Sequence, residues 1–562
     1  MSILNKYCSK TEFSSYEDFY ENLVINVPEH FNFAYDVLDY YADNEPDKLA
    51  LVWCDDRGGE DFISFKTLQS RVNKTANFLK QLGIQKGDHV LLILRSRHEF
   101  WNCILALHKI GAVAVPATNM LMAKDIVYRI KLASIKACIC VDHSDLLHQC
   151  DLAQSETGDI LKLKIVVNGT KEGWIDYQKG IDAQSDVFAT PPKDQWPKND
   201  DIMLLYFTSG TSGFPKMVQH NFTYPLAHII TACYWQNVQD GGLHYTVAET
   251  GWAKAVWGKL YGQWIGGSAV FVYDHDLFSA AKMMEKIAKY KVTTFCAPPT
   301  IYRYLIKENL DKYDLSSIQY WVTAGEAINP IVYQTFLEKT GFKLHEAFGQ
   351  TELVVTTATW PWLEPKPGSM GKPSPGYSIA LFDNDGNKVE VGEEGELCIR
   401  TDGDRLPPGI FGGYYLDEEK TQSVWHDGYY HTGDIVWQDA DGYLWYVGRA
   451  DDVIKSSGYR IGPGEVESVL MKHPAVFECA VTGVPDPVRG QIVKATIVLT
   501  KNNTPSDELK VEIQQFVKTN TAPYKYPRAI EFVTSLPKTI SGKIMRAEIK
   551  KQDMERYSEN EG

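Results

Sequence analysis

The chain has 562 residues, of which 44% are hydrophobic and 23% charged, and its formal net charge at pH 7 is −15. This length predicts several cores, because a domain usually holds about 100–200 residues, and the composition excludes fibrous and disordered classes. The acidic balance argues against a nucleic-acid groove, since phosphate backbones attract basic surfaces, so an anionic ligand must be bound by local groups.

The cysteines and the N-terminal residues predict the compartment. The 10 cysteines include no C-x-x-C pair and no metal-like Cys/His spacing, which indicates reduced, mostly buried thiols. The acidic N-terminal stretch, which includes Glu12 and Glu17, lacks the features of a signal or transit peptide. No apolar stretch approaches the ~20 residues of a membrane span. We therefore expect a cytoplasmic protein without a membrane span.

Three stretches predict parallel βαβ units. From Lys86, "KGDHVLLILRSRHEFWNCILALHKIGAVAVP" contains an apolar strand, an amphipathic helix ending at Gly111 and a second apolar strand closed by Pro116. The pattern returns at "VTTFCAPPTIYRYLI" and at "IQYWVTAGEAINPIVYQTFLEKTGFKLHEAFG". These stretches predict a large α/β body.

The sequence pattern changes near residue 370, after which Asp-Gly turns occur in "FDNDGN", "HDGYYHTGD" and "DADGYLWYVGR". Such turns between alternating segments predict antiparallel hairpins. After Arg449 we expect a strand pair around "AVTGVPDPVRGQIVKATIVLT" and a helix at "SDELKVEIQQFVKT". We place a boundary at Ala450 to Asp452, which predicts domains of residues 1–450 and 451–562.

The stretch "YFTSGTSGFPKM", from Tyr206 to Met217, predicts a phosphate-binding loop. It lies between an apolar strand, "IMLLYF", and a segment of helical spacing, "NFTYPLAHIITACYWQ", and strand, loop and helix is a layout that binds anions. The loop offers hydroxyl groups, glycines that turn N–H groups inward, and one cation: Thr208, Ser209, Thr211 and Ser212; Gly210 and Gly213; and Lys216. It is not a Walker loop, because Met217 follows the lysine. A flexible polar turn remains the alternative.

Three further motifs suit the same ligand. In "FGQTE", Glu352 offers an oxygen ligand to Mg²⁺ and Thr351 a hydroxyl to the α-phosphate, although such a pair also begins helices. In "YHTGD", Asp434 lies beside a predicted turn and could accept both ribose hydroxyls, although an aspartate there is also ordinary turn chemistry. In "PKTISGKIMR", Lys543 lies on a glycine-containing tip, although a lone lysine is usually just solvated.

A further motif, Gly-Arg-x-Asp-Asp, follows residue 447. Because these motifs occur in this order along the chain, the chain resembles the acyl-adenylate-forming superfamily, which includes acyl-CoA synthetases, luciferases and peptide-synthetase adenylation domains. It is most similar to medium-chain acyl-CoA synthetases, in "AETGWAKAVWG", "TAGEAINP", "EAFGQTE" and "TAPYKYPR". The resemblance covers the whole chain. It implies an α/β fold, with two βαβ-type subdomains and a β-rich subdomain in a large N-terminal domain, and a smaller, mobile α+β C-terminal domain.

The resemblance also implies site residues. Those that bind ATP would be Thr208 to Lys216, Gly325, Glu326, Glu346, Ala347, Phe348, Gly349, Gln350, Thr351, Asp434, Arg449 and Arg460. Those that contact CoA would be Ser457, Gly458, Tyr459, Arg489, Lys518, Tyr526 and Arg528. Glu352 would hold Mg²⁺, Asp451 would be the hinge, and Lys543 would catalyse adenylation with Thr351 and Glu352.

This implied chemistry has two steps. The carboxylate attacks the α-phosphate of ATP to form an acyl-adenylate, and the CoA thiol then displaces AMP. Because two anions meet in the first step, positioned cations are the main catalytic device. A swing of the C-terminal domain about Asp451 would then withdraw Lys543 and present Gly458, which has no side chain to obstruct pantetheine.

The acid itself is predicted from the expected acyl pocket. Members similar to acetyl-CoA synthetase carry a tryptophan where this chain has Gly349, so we expect room for longer, branched or aromatic acids. Each buried methylene contributes about 0.8 kcal/mol. Trp252 and Trp257 would line the pocket, unless they are simple core residues.

Two other functions stay open at this point. The enzyme could load a carrier-protein pantetheine in place of CoA, or the chain could be a non-catalytic acyl-adenylate or nucleotide sensor. The expected partners are a small carboxylic acid, ATP and CoA, and no nucleic acid. The oligomeric state stays open, a homodimer included.

Overall fold

The fold comes from a computed structural model, which describes residues 3–208, 215–403, 406–457, 459–538 and 544–560. The chain divides into two compact units. The first unit holds the described parts of 1–208, 215–377 and 402–423, and the second holds those of 378–401 and 424–562.

The first unit combines two mainly parallel sheets with helices. Its strands are β1 (Leu49–Asp55), β2 (Glu60–Ser64), β3 (His89–Ile93), β4 (Val113–Pro116), β5 (Ala137–Val141), β6 (Leu163–Val167), β7 (Ile175–Asp176), β8 (Ile202–Thr208), β9 (Lys216–Asn221), β10 (Leu243–Thr246), β11 (Ala269–Asp274), β12 (Thr294–Ala297), β13 (Tyr320–Ala324), β14 (Leu344–Gly349), β15 (Val355–Ala358) and β16 (Ser369–Pro373).

Its helices follow the same chain order. They are α1 (Tyr16–Asn22), α2 (Tyr40–Asn44), α3 (Phe65–Gln81), α4 (Glu99–Ile110), α5 (Ala123–Ala133), α6 (Ser144–Thr157), α7 (Tyr177–Asp182), α8 (Tyr224–Ile229), α9 (Ala253–Lys259), α10 (Tyr261–Ile265), α11 (Ala280–Tyr290), α12 (Pro299–Leu305), α13 (Pro330–Thr340) and α14 (Glu418–Gln422). Ala34–Asp39 and Ile230–Trp235 are π-helical, and Ile3–Lys6, Gly158–Ile160, Lys193–Gln195 and Leu310–Lys312 are 3₁₀ turns.

Sheet A has the strand order β7-β6-β5-β3-β4-β8-β9, and its strands run parallel except for β9. The predicted βαβ unit after Lys86 is β3, α4 and β4, and Gly111 ends the helix with a φ of 81°. Apolar residues of the central strands pack with those of α5 and α6 in one buried cluster. This prediction is confirmed.

Sheet B has the order β16-β15-β14-β13-β12-β10-β11-β1-β2 within the first unit. Strands β1, β11, β10, β12, β13 and β14 run parallel to one another, and the pairs β1–β2, β14–β15 and β15–β16 are antiparallel. Helices α11, α12 and α13 bury apolar side chains against this sheet. The two recurring βαβ patterns are therefore confirmed as β12–α12–β13 and β13–α13–β14.

The second unit is α+β. Its elements are β17 (Ile379–Phe382), β18 (Glu394–Arg400), β19 (Trp425–His426), β20 (Tyr429–Gln438), β21 (Leu444–Arg449), β22 (Ile454–Ser456), β23 (Tyr459–Ile461), α15 (Pro463–Leu470), β24 (Val476–Asp486), β25 (Gly490–Leu499), α16 (Asp507–Asn520), β26 (Ala529–Val533) and α17 (Arg546–Asn560). Strands β17-β18-β20-β21 form an antiparallel sheet in which β19 also pairs with β20.

The predicted hairpins and the predicted C-terminal elements are confirmed. Asp427 and Gly428 have φ values of 52° and 79°, the pair of positive angles that a two-residue hairpin turn between β19 and β20 requires. Strands β24 and β25 pair antiparallel, β26 runs parallel to β25, and α15 and α16 cover this sheet with apolar residues. The α/β fold class is thus confirmed.

The cysteines, every one of which is described, are free thiols, and all but Cys233 are buried, as predicted. Among the described residues, the helices are too short or too polar to cross a bilayer.

Candidate active site

The predicted phosphate loop joins two antiparallel strands, so the predicted layout of strand, loop and helix is wrong. Thr208 ends β8 and pairs with Lys216 at the start of β9. The residues from Lys216 to Asn221 pair along β8 and bury Met217 and Val218, and α8 begins only at Tyr224. No helix N-terminus therefore follows the loop directly. Ser209, Gly210, Thr211, Ser212 and Gly213 lie outside the described residues.

The Thr351–Glu352 pair forms a turn after β14, not the start of a helix. His220, on β9, lies with Nε2 2.7 Å from the carbonyl oxygen of Thr351. The backbone N–H of Phe411 donates to the carbonyl of Glu352 at 2.8 Å, and the Tyr414 hydroxyl donates to Glu352 Oε1 at 2.9 Å. Three contacts from two separate segments thus hold this turn.

Tyr414 also contacts the loop lysine. The Lys216 ammonium lies 5.1 Å from the centre of the Tyr414 ring, and Tyr414 forms a β-bridge with Val218. One tyrosine therefore lies between the cation predicted to bind phosphate and the carboxylate predicted to bind Mg²⁺. This residue was not predicted from the sequence, where its only signal is an aromatic pair after two glycines in "FGGYY".

His220 is a neutral, fixed ring. Burial lowers its pKa to about 4, and this outweighs the opposing effect of its bond to the Thr351 carbonyl. The ring stacks on Tyr224 with centroids 3.8 Å apart, and the Tyr224 hydroxyl accepts a hydrogen bond from Trp257 Nε1 at 3.0 Å. These contacts link Thr351 to Trp257, and no motif in the sequence predicted them.

Gly349 and Trp257 lie in contact, whereas Trp252 is the residue that precedes α9. A Cβ at residue 349 would lie 2.6 Å from Trp257 Cη2 and 2.4 Å from the carbonyl oxygen of Val354. The volume that a side chain would enter at this position is therefore filled by protein atoms. The Trp257 ring, not an open space, lies next to this glycine.

The residues expected around adenine and the acyl-adenylate follow two neighbouring strands. Ala324 on β13 pairs with Ala347 on β14, and these strands are parallel. Gly325, with a φ of 107°, and Glu326 come directly after β13. The carboxyl ends of parallel strands meet at one edge of a sheet, a common place for ligands. That edge brings together Gly325, Glu326, Ala347, Phe348, Gly349 and Gln350.

Glu346 is buried on β14. Its Oε1 accepts a hydrogen bond from the backbone N–H of Ile328 at 3.1 Å, yet burial raises its pKa to about 8. The carboxyl group is therefore mostly protonated at neutral pH. Glu326 instead pairs with Arg303 at 3.1 Å.

Asp434 lies inside β20 at a β-bulge, so the prediction that it flanks a turn is wrong. Between the pairs Glu396–Ile435 and Cys398–His431 the register shifts, and Gly433 takes a φ of 71°. The bulge arises because glycine can adopt this angle within a strand.

Asp434 meets the other residue expected to bind ribose. Its Oδ2 lies 3.2 Å from Arg449 Nη1, and its Oδ1 accepts a hydrogen bond from the Tyr446 hydroxyl at 3.2 Å. Burial disfavours the charge on Arg449, but Asp434 and Tyr446 outweigh burial and raise its pKa. Arg449 thus stays cationic beside a buried carboxylate. Tyr446 is a further contact that the sequence did not reveal.

The residues expected to contact CoA form two groups in the second unit. In the first group, Arg489 Nη1 donates to Ser457 Oγ at 3.1 Å. Tyr459, which is half exposed, stacks on Tyr524 with centroids 4.1 Å apart. Gly458 lies outside the described residues, and of Arg460 only the backbone is described, on β23.

The second group surrounds the ring of Tyr526. Arg528 Nη1 donates to the Tyr526 hydroxyl at 2.7 Å, and Lys518 Nζ lies 5.6 Å from the ring centre. The backbone N–H of Arg528 donates to Val493 on β25 at 2.8 Å. Cationic side chains and aromatic rings therefore share one end of this sheet.

The expected hinge is attached to the C-terminal helix. Lys550, on α17, donates to the carbonyl of Asp451 at 2.8 Å and to Asp452 Oδ1 at 2.7 Å. The expected catalytic lysine, Lys543, lies outside the described residues.

A polar cavity of about 600 Å³ also opens in the first unit, and it was not predicted from the sequence. Arg57, Arg95 and Arg97 line it. Asp274 and Asp276 pair with these arginines, at 3.1 Å from Arg97 and from Arg95 respectively, and offset part of their charge. The short "RSR" segment after β3 is its only sequence signal.

A family model described as AMP-binding enzyme matches residues 38–415, and one described as AMP-binding enzyme C-terminal domain matches residues 465–543. The chain belongs to the AMP-binding enzyme family. The predicted resemblance is thereby confirmed.

Individual AMP-binding enzymes are similar to this one along nearly all of its length. Acyl-coenzyme A synthetase ACSM3, mitochondrial, of Homo sapiens is 39% identical over 558 residues, which are 98% of this chain and 94% of that protein. Acyl-coenzyme A synthetase ACSM4, mitochondrial, of Rattus norvegicus is 40% identical over 537 residues, 94% and 91% of the two chains. The crystal structure of the anthranilate CoA ligase AuaEII in complex with anthranoyl-AMP is 29% identical and superposes with a TM-score of 0.84, covering 95% of this chain and 99% of that one.

These relatives confirm the predicted class of AMP-binding enzyme, an ATP-dependent, AMP-forming acyl-CoA synthetase that uses ATP, CoA and a carboxylic acid. They also correct one prediction. The curated relatives named above are mitochondrial, so the expected cytoplasmic location is wrong. An acidic N-terminal stretch was not a sufficient sign of the compartment.

Proposed function

We propose that this acyl-CoA synthetase activates a medium-chain, branched or aromatic acid. A carboxylate oxygen attacks the α-phosphorus of ATP, and the bond to pyrophosphate breaks to leave acyl-AMP. The CoA sulfur then attacks the acyl carbonyl, the thiol proton passes to solvent, and AMP departs. The observation that carries the adenylation step is the Thr351–Glu352 turn, which is held by contacts with His220, Phe411 and Tyr414.

The first unit supplies groups for the nucleotide phosphates. Lys216 and the loop that begins at Thr208 bind the pyrophosphate part, and Thr351 contacts the α-phosphate. Support comes from the pairing of Thr208 with Lys216, which fixes both ends of the loop. A positioned cation stabilises the charge that builds on the phosphates as the bond to pyrophosphate breaks.

Mg²⁺ fits the donor set at this turn. Mg²⁺ in nucleotide sites usually takes one or two carboxylates together with phosphate oxygens, and Glu352 presents a carboxylate whose Oε1 is oriented by Tyr414. When bound, Mg²⁺ would neutralise phosphate charge. Glu352 would hold the ion, and Tyr414 would orient Glu352.

The second unit supplies groups for ribose, CoA and the change between steps. Asp434 and Arg449 would bind ribose, and Arg460 a nucleotide phosphate. The groups around Ser457 and Tyr526 would bind CoA, in agreement with their cations and rings. Residues 451–562 would act as a domain that turns about Asp451 and carries Lys543 as the adenylation lysine.

The acid preference is supported by one similar protein. The structure named above is that of an anthranilate CoA ligase, and anthranilate is an aromatic acid. Trp257, whose ring lies beside Gly349, would form an apolar wall of the acyl pocket. Each additional buried methylene would contribute about 0.8 kcal/mol. We also propose that the enzyme works in mitochondria, as its relatives do, and that it forms a homodimer, which light scattering would test.

The test measures AMP release from ATP with a panel of acids, from acetate through octanoate with 2-methyl and aromatic members. We expect AMP release to require both the acid and CoA, and to be slowest with acetate. A carrier-protein pantetheine in place of CoA tests the alternative acceptor. Failure to cleave ATP between the α- and β-phosphorus with any acid would contradict the proposal.

Glu352→Gln tests the role of the Glu352 carboxylate, since this substitution removes the charge and keeps the shape of the side chain. We expect ATP–pyrophosphate exchange to fall at least about tenfold. Glu364→Gln is the control, because Glu364 pairs with Lys343 at an exposed site. Equal exchange in the two variants would refute the role of Glu352.

A further inference from the structure

Three side chains that could bind a metal ion converge on the antiparallel sheet of the second unit. Glu396 and Cys398 are two residues apart on β18, so they project from one face. His431, on β20, pairs directly with Cys398. None of the three has a role in the proposed reaction.

The ligand atoms of these residues are closely spaced. His431 Nδ1 lies 3.3 Å from Cys398 Sγ and 3.2 Å from Glu396 Oε2. His431 Nδ1 carries at most one proton, so it cannot donate a well-aligned hydrogen bond to both Cys398 Sγ and Glu396 Oε2. Around a tetrahedral ion with the bond lengths of zinc sites, neighbouring ligand atoms are roughly 3.3–3.6 Å apart. All three ligand atoms lie within 4.8 Å of one another, so small shifts would complete that geometry.

Neighbouring groups fix the orientation of these side chains. Glu396 Oε1 accepts a hydrogen bond from the backbone N–H of Gly433 at 2.9 Å, which leaves Oε2 facing the histidine. The ring of His426 stacks on His431 with centroids 4.0 Å apart. Hydrogen bonds such as the one that Glu396 accepts orient metal-ligating carboxylates in characterised sites. His431 Nε2 has no hydrogen-bond partner among the described residues, so the ring is oriented by its Nδ1 side and by stacking.

The site can be reached by an ion. Cys398 is fully buried, whereas the side chains of His431 and Glu396 are 19% and 27% exposed. The thiol thus forms the inner end of the site, and the imidazole and carboxylate form its open side. A mixed sulfur, nitrogen and oxygen set suits Zn²⁺ and does not suit Mg²⁺, which prefers oxygen alone.

We propose that Glu396, Cys398 and His431 bind one Zn²⁺ ion, with water as the fourth ligand. On binding, the Cys398 thiol releases its proton to solvent and the sulfur bonds the metal. Because Glu396 also bonds the backbone of Gly433, the ion would secure the bulge that carries Asp434. The site is structural, since it has no place in the acyl transfer.

The test uses the full-length protein in buffer that contains Mg²⁺. Zn²⁺ affinity is measured by competition with a chromophoric chelator, and Co²⁺ is added separately as a spectroscopic probe. We expect one ion per chain, proton release on binding, and a thiolate-to-cobalt charge-transfer band. Cys398→Ser and His431→Gln should each weaken Zn²⁺ binding by about tenfold or more, and Cys398→Ser should abolish the band.

Cys479→Ser is the matched control, because Cys479 is also a buried thiol of the second unit and is absent from the cluster. It should leave Zn²⁺ affinity unchanged. If Cys398→Ser fails to fold, Glu396→Gln and the cobalt spectrum of the unaltered chain decide. Lack of stoichiometric binding, no thiolate band, or equal affinity in His431→Gln and the unaltered chain would overturn the proposal and leave a hydrogen-bonded triad.

Discussion

At the scale of single residues, Tyr414 isolates one contact of the proposed phosphate site. Tyr414→Phe removes the hydroxyl that bonds Glu352 and keeps the ring beside Lys216. We expect the free energy of unfolding to fall by about 1–2 kcal/mol. We also expect ATP–pyrophosphate exchange to fall several-fold, because the carboxylate loses its orientation.

Tyr35→Phe separates the two effects. Its buried hydroxyl donates to the Lys109 carbonyl at 2.9 Å, away from the turn. Stability should fall by about 1 kcal/mol, and exchange should be unchanged. If both variants lose exchange in proportion to stability, Tyr414 has only a structural role.

Glu346 predicts a pH dependence of stability. Its folded pKa is about 8 and its ordinary value is 4.5, so between these values the folded protein retains a proton that the unfolded chain releases. The free energy of unfolding therefore falls as the pH rises from about 5 to about 8, by at most roughly 1.4 kcal/mol per pH unit. In Glu346→Gln this contribution should disappear. Urea unfolding across that range measures it, and identical slopes in the two proteins would contradict the assignment.

At the scale of elements, the bulge in β20 makes the ribose residues sensitive to one glycine. A Cβ at Gly433 would lie 2.8 Å from Arg449 Nη2, and its φ of 71° strains any other residue. We expect Gly433→Ala to lose about 1–2 kcal/mol of stability and to raise the KM for ATP about tenfold by displacing Arg449 from Asp434.

Gly386→Ala measures the backbone cost alone. Its φ is 81°, and nothing lies within 4 Å of an added Cβ. Stability should fall by a similar amount while the KM for ATP stays unchanged. An unchanged KM in both variants would argue against ribose binding by Arg449.

The secondary-structure elements also show which features local sequence patterns predict and which they do not. Apolar runs such as β3 and helical spacing such as α4 were predicted, since their periodicity is local. Strand β9 was missed, because only pairing with β8 reveals that Lys216–Asn221 is extended. The bulge at Asp434 was missed for the same reason, as a shifted register is a property of two strands. Partners such as His220 and Tyr446 come from segments that only the fold brings together.

At the scale of the whole molecule, ordered motifs predicted the family and the class of reaction. They also predicted Trp257 near the expected acyl pocket, but not that its ring fills the volume beside Gly349, because that contact joins residues about ninety positions apart in the chain. The compartment was predicted wrongly, because the composition of the N-terminal stretch reports on its charge and solubility and does not identify the compartment.

The two-step assignment has a whole-molecule test. We expect Lys543→Ala to abolish formation of acyl-AMP from ATP and acid, and to retain CoA transfer from supplied acyl-AMP, because the lysine would act only in the first step. Lys551→Ala, an exposed lysine on α17, should retain both half-reactions. Acyl-AMP formation is measured as pyrophosphate release, and CoA transfer is measured as thioester formation. Loss of both half-reactions in Lys543→Ala would refute the assignment.

The contact between Gly349 and Trp257 constrains how the proposed acid preference could evolve. A bulky residue at 349 alone would collide with the tryptophan and with the Val354 backbone, and such overpacking typically costs about 1–3 kcal/mol. A smaller residue at 257 alone would leave a void. With the acyl pocket at the proposed place, a larger residue at 349 would require both a smaller residue at 257 and a displaced Val354 backbone. We therefore expect strong epistasis between positions 349 and 257, with each single change less fit than the starting chain.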